Sequence, residues 1–460
     1  MSGCMEVTVS DMLHAREARF FMQQTLLAQY PGSSVVCLTM NIAGPIKVTP
    51  DIERAFSWGK ERVRAILAGS RVMLQSETHE KTGAEAFFVV QGEAREIKRR
   101  VCALEDGCAM GRLLDIDVIA QDGKKISRTE IGLPCRKCLL CGQDAPVCAR
   151  SRAHTVAQLT ERTHAIIDAH FAEEFAGKVG RQAQRALLTE AAISPKPGLV
   201  DRMNAGAHSD MDIFTFIDSS CGLRDYFVVC ARMGLAFRGG RPQDCFDALR
   251  TQGLLAEAEM RRATNGVNTH KGAVFSLGIY AASLGLGYDG ERSDAVCALL
   301  RCGEMTEVRM REELAAIEGM EARSFGEVIY QKYRAGGVRS EAAGGFSSVR
   351  EGGLPRISAA IDAGLTVNDA GLCALIALMA RVQDTNVLHR GGAEAAEKLL
   401  ADAKLLDERI CRYMEQGTLG MHMEEIRAQL EQWDAELSAA RISPGGCADL
   451  LALTLMAYFM

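Results

Sequence analysis

No run of about 18 apolar residues occurs anywhere in the sequence, so no membrane-spanning helix is expected. The start, MSGCMEVTVSDMLHAREARFF, lacks a basic segment followed by an apolar stretch of signal-peptide length, and the chain is expected to stay in the cytoplasm. An excess of positive charge is also missing: the net charge of −6 does not favour nucleic acid as a partner. Neither a low-complexity tract nor a tandem repeat of fixed period stands out.

What is present is the balance of a soluble globular protein, 48% hydrophobic and 24% charged. With 460 residues the chain is long enough for two or three domains, each with its own core. The 16 cysteines lie mostly in apolar or helical sequence such as CALIALMA, where a reduced thiol acts as a small hydrophobe, and disulfides are not expected.

Up to about residue 170, helical periodicity over 11–29 and 51–68 alternates with the β-rich runs SVVCLTM, RVMLQSET, AFFVVQG and RLLDIDVI, which predicts an α/β or α+β domain. Beyond it, Ala, Leu, Glu and Arg at helical spacing are broken by Gly- and Pro-containing loops, and the second part should be almost all helical. The boundary is placed between residues 176 and 177.

The first chemical constellation is GRLLDIDVIAQDGKKISR. In an extended strand Leu114, Ile116 and Val118 face one way and Asp115 and Asp117 the other, with the two aspartate Cα atoms about 6.8 Å apart. Gln121 to Lys124 is a turn signal and KISRTEI a returning strand, which puts the pair on a hairpin or sheet edge. Two carboxylates so placed suit Mg²⁺ shared with substrate phosphates, or else form the charged, solvated face that protects an edge strand.

The second is LPCRKCLLCGQDAPVCARSRAH. Cys138, Cys141, Cys148 and His154 supply three thiols and an imidazole for a structural Zn²⁺, or are free thiols beside a basic, anion-facing loop.

The third lies in the helical half. SPKPGLVDRMNAGAHSDMD presents Lys196, Asp201, Asn204, His208 and Asp210; NGVNTHKGA places Asn268, His270 and Lys271 before an apolar helix, whose N-terminus and lysine favour phosphate; and VQDTNVLHRGG carries Asp384, Asn386, His389 and Arg390. Each loop alone also reads as capping groups and a satisfied histidine, but three in one helical domain point to a polyanion site. The helix AGLCALIALMARV, apolar nearly all round, should be buried in a bundle.

On these motifs the first part resembles the apo-citrate lyase phosphoribosyl-dephospho-CoA transferase family, through LTMNIAGPIK, GRLLDIDVI, ISRTEIGLPCRKCLLCG and CARSRAH. From about residue 177 the chain is similar to triphosphoribosyl-dephospho-CoA synthase, through EAAISPKPGLVDRMNAGAHSDMD, GVNTHKG, GGFSSVREGGLP and DTNVLHRGG. The resemblance implies a bifunctional transferase. Its pentosyltransferase-type half would join the triphosphoribosyl group of ATP to 3′-dephospho-CoA with release of adenine. Its nucleotidyltransferase-type half would pass the phosphoribosyl-dephospho-CoA to a serine of the apo acyl carrier subunit of citrate lyase, releasing pyrophosphate.

In the helical half that chemistry would use Lys196 and Lys271 on phosphates, Asp210 and Asp384 for Mg²⁺ or base work, and His208, His270 or His389 for proton transfer. Asp201, Asn204, Asn268, Asn386 and Arg390 would contact substrate. In the first half Asp115 and Asp117 would hold Mg²⁺, with Arg112, Arg128 and Arg136 on the triphosphate. The Asp-x-Asp strand is also similar to polymerase-β-like nucleotidyltransferases, whose Gly-Ser is replaced here by Gly111-Arg112. A competing reading is a metal-dependent regulatory or scaffolding protein, with a Cys/His module and a helical interaction bundle.

Overall fold

The computed structural model describes residues 5–317, 321–322 and 325–460. The chain divides into two compact units, Met1–Phe171 and Ala172–Met460.

The first unit contains α1 (Val9–Gln29), β1 (Ser34–Met40), α2 (Pro50–Leu67), β2 (Arg71–Glu80), β3 (Gly83–Gln91), α3 (Ala94–Gly107), β4 (Leu114–Ile119) and α4 (Ala145–Ser151). The four strands form one antiparallel sheet in the order β2-β3-β1-β4. This is the α+β arrangement read from the alternating runs. Val36, Leu38, Phe88, Val90, Leu114, Ile116 and Val118 pack on one sheet face with Phe56, Val63, Ile97 and Val101 from α2 and α3. Val35, Cys37, Phe87 and Val89 on the opposite face meet Leu26 of α1.

β4 is an edge strand, and side chains cover its open backbone groups. Ile116 N–H donates to Glu105 Oε1 at 2.9 Å, Lys98 Nζ donates to Ile116 O at 2.6 Å, and Arg136 Nη2 donates to Leu114 O at 2.8 Å. Such cover keeps an edge from pairing with another chain.

The expected returning strand does not form. After Gly123, pairing with β4 is limited to the bridge Ile119↔Lys125 and the bond from Ile126 N–H to Val118 O at 2.8 Å. Ser127 N–H then bonds Glu130, Arg128 is drawn to Glu105 and Asp106, and the chain enters a 3₁₀ turn over Thr129–Ile131.

α5 (Val156–Ala192) begins in the first unit and continues into the second. The second unit goes on with α6 (Ile213–Ala236), α7 (Pro242–Ala263), α8 (Lys271–Leu286), α9 (Ala295–Ile317), α10 (Phe325–Tyr333), α11 (Gly337–Ala343), α12 (Leu354–Asp362), α13 (Val367–Met379), α14 (Thr385–Glu415), α15 (Leu419–Ala439) and α16 (Gly445–Phe459). α8, α13 and α16 are apolar almost all round and are buried accordingly. α8 packs on α6, α7, α9 and α16, and α13 on α12, α14 and α16. No helix among the described residues is long and apolar enough to cross a membrane.

Candidate functional site

In the second unit the three polar loops meet at a cavity of about 830 Å³. Its lining includes His208 and Asp210 from the first loop, Asn268, His270 and Lys271 from the second, and Asp384, Asn386 and Arg390 from the third. The second loop ends where the apolar α8 begins and the third starts where the apolar α13 ends, so helix packing delivers the polar groups to one place.

His270 is the N-cap residue of α8 and is buried. Its Nδ1 lies 2.7 Å from Ser219 Oγ, which accepts from Thr269 Oγ1 at 2.8 Å. Its Nε2 is closed to water and has no hydrogen-bond partner among the described residues. Burial, with the charge of Lys196 nearby, pulls the imidazole down to about 3, so it is neutral.

His208 is half-buried, with Nε2 3.0 Å from Ser443 Oγ and Nδ1 3.8 Å from Asp210 Oδ1. Burial and the charge of Arg390 lower its pKa, against the pull of Asp210. Lys271 stands at the first turn of α8, partly exposed, 3.4 Å from Glu257.

Several expected ligands have other partners. Lys196 is 1% exposed, and its ammonium is held by the Glu190 carboxylate and by the Glu190 carbonyl oxygen at 2.7 Å, so it is not offered to a phosphate. Asp201 is buried and accepts the backbone N–H groups of Lys196, Met203 and Asn204, while Asn204 bonds Asp434 and Gly206. Both residues therefore shape the loop. Asp384 is the N-cap of α14: Oδ1 accepts from Asn386 and Val387, and Oδ2 accepts from Cys447 of α16 at 2.8 Å. His389 is exposed and is not among the residues lining the cavity.

Five acidic lining residues escaped the sequence reading, Glu190, Glu257, Glu313, Glu341 and Asp449. Glu190 closes α5, and Asp449 is the one charged residue within the apolar α16. Burial, reinforced by Glu190 and Asp384, holds Asp449 well above the usual carboxylate range, although the Ala273 N–H donates to it. Gly272 makes the room, because a Cβ there would overlap the Asp449 carboxylate. A lone carboxylate in an apolar helix was the available signal.

In the first unit Asp115 and Asp117 share one face of β4, opposite Thr39 and Cys37 of β1, and both are half-buried. Asp117 Oδ1 pairs with Lys125 at 2.5 Å. Arg19 of α1, bonded to Glu85 at 2.8 Å, also feels the charge of Asp117. The arginines expected on the triphosphate are engaged elsewhere. Arg128 pairs with Glu105 at 3.1 Å and with Asp106, Arg136 pairs with Glu105, and Arg112 donates to the Lys137 carbonyl.

Cys138, Cys141, Cys148 and His154 come together, their ligand atoms all within 4.8 Å of one another. Although burial opposes it, backbone N–H groups of Leu140 and Cys141 bring the Cys138 thiol down to about 6. Burial and the neighbouring thiols push Cys148 up to about 12.

Comparison with known proteins accounts for nearly the whole length. Residues 7–170 match the family described as apo-citrate lyase phosphoribosyl-dephospho-CoA transferase, and residues 176–460 match ATP:dephospho-CoA triphosphoribosyl transferase. The chain is 32% identical over 468 residues to Protein CitXG of Haemophilus influenzae, covering 98% of this chain and 96% of the relative. Protein CitXG of Leuconostoc mesenteroides subsp. cremoris is 31% identical over 464 residues, with 98% and 97% covered. The 2-(5''-triphosphoribosyl)-3'-dephosphocoenzyme-A synthase of Haemophilus ducreyi is 31% identical over 337 residues, with 69% and 98% covered.

Proposed function

The chain belongs to the family in which the apo-citrate lyase phosphoribosyl-dephospho-CoA transferase and the ATP:dephospho-CoA triphosphoribosyl transferase are joined in one polypeptide, and from that premise we propose how its two units divide the work. It is a bifunctional transferase of citrate lyase prosthetic-group synthesis, and ATP, dephospho-CoA and the acyl carrier are its reactants.

The helical unit takes ATP and 3′-dephospho-CoA. What carries this reading is the convergence of three polar loops on one cavity, whose volume of about 830 Å³ is in the upper part of the range for ligand sites. A ribose hydroxyl of dephospho-CoA attacks C1′ of the ATP ribose as adenine leaves, through an oxocarbenium-like transition state. His208, neutral and beside Asp210, is placed to accept the hydroxyl proton. Asp449, kept protonated by burial, is placed to give a proton to the departing adenine. Lys271, Arg390 and the first N–H groups of α8 receive the triphosphate. Asn268 and Asn386 bond the sugar or phosphates, and His270 offers its unpartnered Nε2 from the wall. Lys196, Asp201, Asn204 and Asp384 hold this arrangement rather than touch substrate.

The first unit makes the transfer to the carrier serine. Asp115 and Asp117 are two hard oxygen ligands on one strand face and fit Mg²⁺, which would neutralise charge on the pyrophosphate that leaves. Lys125 and Arg19 complete the charge around them. The strand-borne pair supports a polymerase-β-like nucleotidyltransferase fold for this unit. Asp210 and the acidic wall of the helical cavity fit a second Mg²⁺ on ATP, and the Cys/His tetrad fits Zn²⁺.

The test is product analysis. Purified chain given ATP, 3′-dephospho-CoA and Mg²⁺ should release adenine, and His208→Ala with Lys271→Ala should slow that release on the order of a thousandfold. Unchanged release by that variant overturns the cavity assignment.

A further inference from the structure

The stretch 135–154 has almost no core of its own, since Cys148 is its one buried residue. Segments that bury so little apolar surface need a covalent or metal staple to hold one shape. Yet this stretch folds back on itself. Cys138 Sγ accepts the Leu140 N–H at 3.4 Å, Gly142 turns the chain at φ 66°, and Lys137 bridges Asp144. α4 then brings Cys148 to the first two thiols.

The spacing discriminates between staples. Cys141 Sγ and Cys148 Sγ lie 3.8 Å apart. A disulfide requires about 2.05 Å, whereas two sulfurs bound to a tetrahedral zinc at about 2.3 Å each stand about 3.8 Å apart. His154 completes the set, and its Nε2 is closed to water with no hydrogen-bond partner among the described residues.

The same stretch is tied to the strand that carries the aspartates. Arg136 bonds Leu114 O and pairs with Glu105, which in turn accepts from Ile116 N–H, and Arg112 bonds Lys137 O. Ala145 N–H donates to Arg136 O at 2.8 Å, joining α4 to the same anchor.

We infer that Cys138, Cys141, Cys148 and His154 bind one Zn²⁺ through three thiolates and one neutral imidazole, and that the metal-clamped loop braces the edge of β4 bearing Asp115 and Asp117. The bracing rests on the reading of those aspartates as the transfer site. The metal is structural: all four of its positions are filled by protein, leaving none for substrate. Its removal should disturb attachment to the carrier and leave the helical unit's adenine release intact.

The experiment uses the full chain, purified under reducing conditions. Elemental analysis should find one zinc per chain, cobalt(II) should replace it with thiolate charge-transfer and tetrahedral ligand-field bands, and His154→Ala should lower both. Cys135→Ser, outside the four, should keep its zinc. Stripping the metal with a chelator, then removing the chelator and restoring Mg²⁺, should slow carrier attachment on the order of a hundredfold, as expected for misplaced reacting groups. Zinc should restore it.

Wild-type chain that neither holds zinc nor takes up cobalt, or a Cys141–Cys148 disulfide in the mass spectrum, overturns the site. Zinc loss without effect on attachment overturns the bracing. Failure of the underlying reading looks different, because Asp115→Asn would then attach normally whatever the zinc content.

Discussion

The ammonium of Lys196 and the carboxylate of Glu190 form an ion pair closed to water, with 1% and 3% of the two residues exposed. The pair joins the end of α5 to the loop that leads to His208. Removing one member strands the other charge in a dry site, so Glu190→Gln should destabilise the protein by about 3–5 kcal/mol. Adding Lys196→Met should recover much of that loss. Denaturant unfolding of the single and double variants measures both.

Asp384 ties two helix starts together through three backbone N–H groups. Asp384→Asn turns one acceptor into a donor facing another donor, whichever way the amide is set. A loss of about 1–3 kcal/mol is expected, read as a lowered thermal midpoint.

The four strands and the two-part organisation are legible in the sequence because alternation and helical spacing are local properties, and the three loops stand out as polar groups between apolar helices. Partner choice is not local. Glu105, far from Arg128 and Arg136 in sequence, captures both once α3 packs beside β4. Lys196 is only six residues from Glu190, yet its spacing does not reveal the pair, because the turn of the loop after α5 decides that the ammonium folds back onto that carboxylate. Asp449 escaped because helix packing alone decides that it faces the cavity and not the core.

The position of Asp449 depends on Gly272, where a Cβ would overlap its carboxylate. Gly272→Ala should therefore slow adenine release by about a hundredfold, the cost of displacing a reacting group by roughly an ångström. Attachment of separately prepared triphosphoribosyl-dephospho-CoA to the carrier should proceed at the normal rate, which separates this effect from general unfolding.

His270 makes stability depend on pH. Unfolded, its imidazole takes a proton near the ordinary 6.5; folded, only near about 3, because it is buried. Between those values the unfolded chain binds the extra proton, so stability falls as pH drops, by up to about 1.4 kcal/mol per pH unit. Asp384, Asp449 and Glu190, raised by burial, act in the opposite sense. The difference between wild type and His270→Gln isolates the histidine, and the variant should lose less stability between pH 6 and pH 4.

The central claim is that one chain holds two separate sites, and Asp115→Asn tests it most directly. With ATP, 3′-dephospho-CoA, Mg²⁺ and the apo carrier, the variant should release adenine at the wild-type rate. The carrier's mass should show no added phosphoribosyl-dephospho-CoA. Loss of adenine release together with attachment, in a variant whose folding matches wild type, would contradict two sites; a carrier modified at the normal rate would contradict the location of the second site at Asp115.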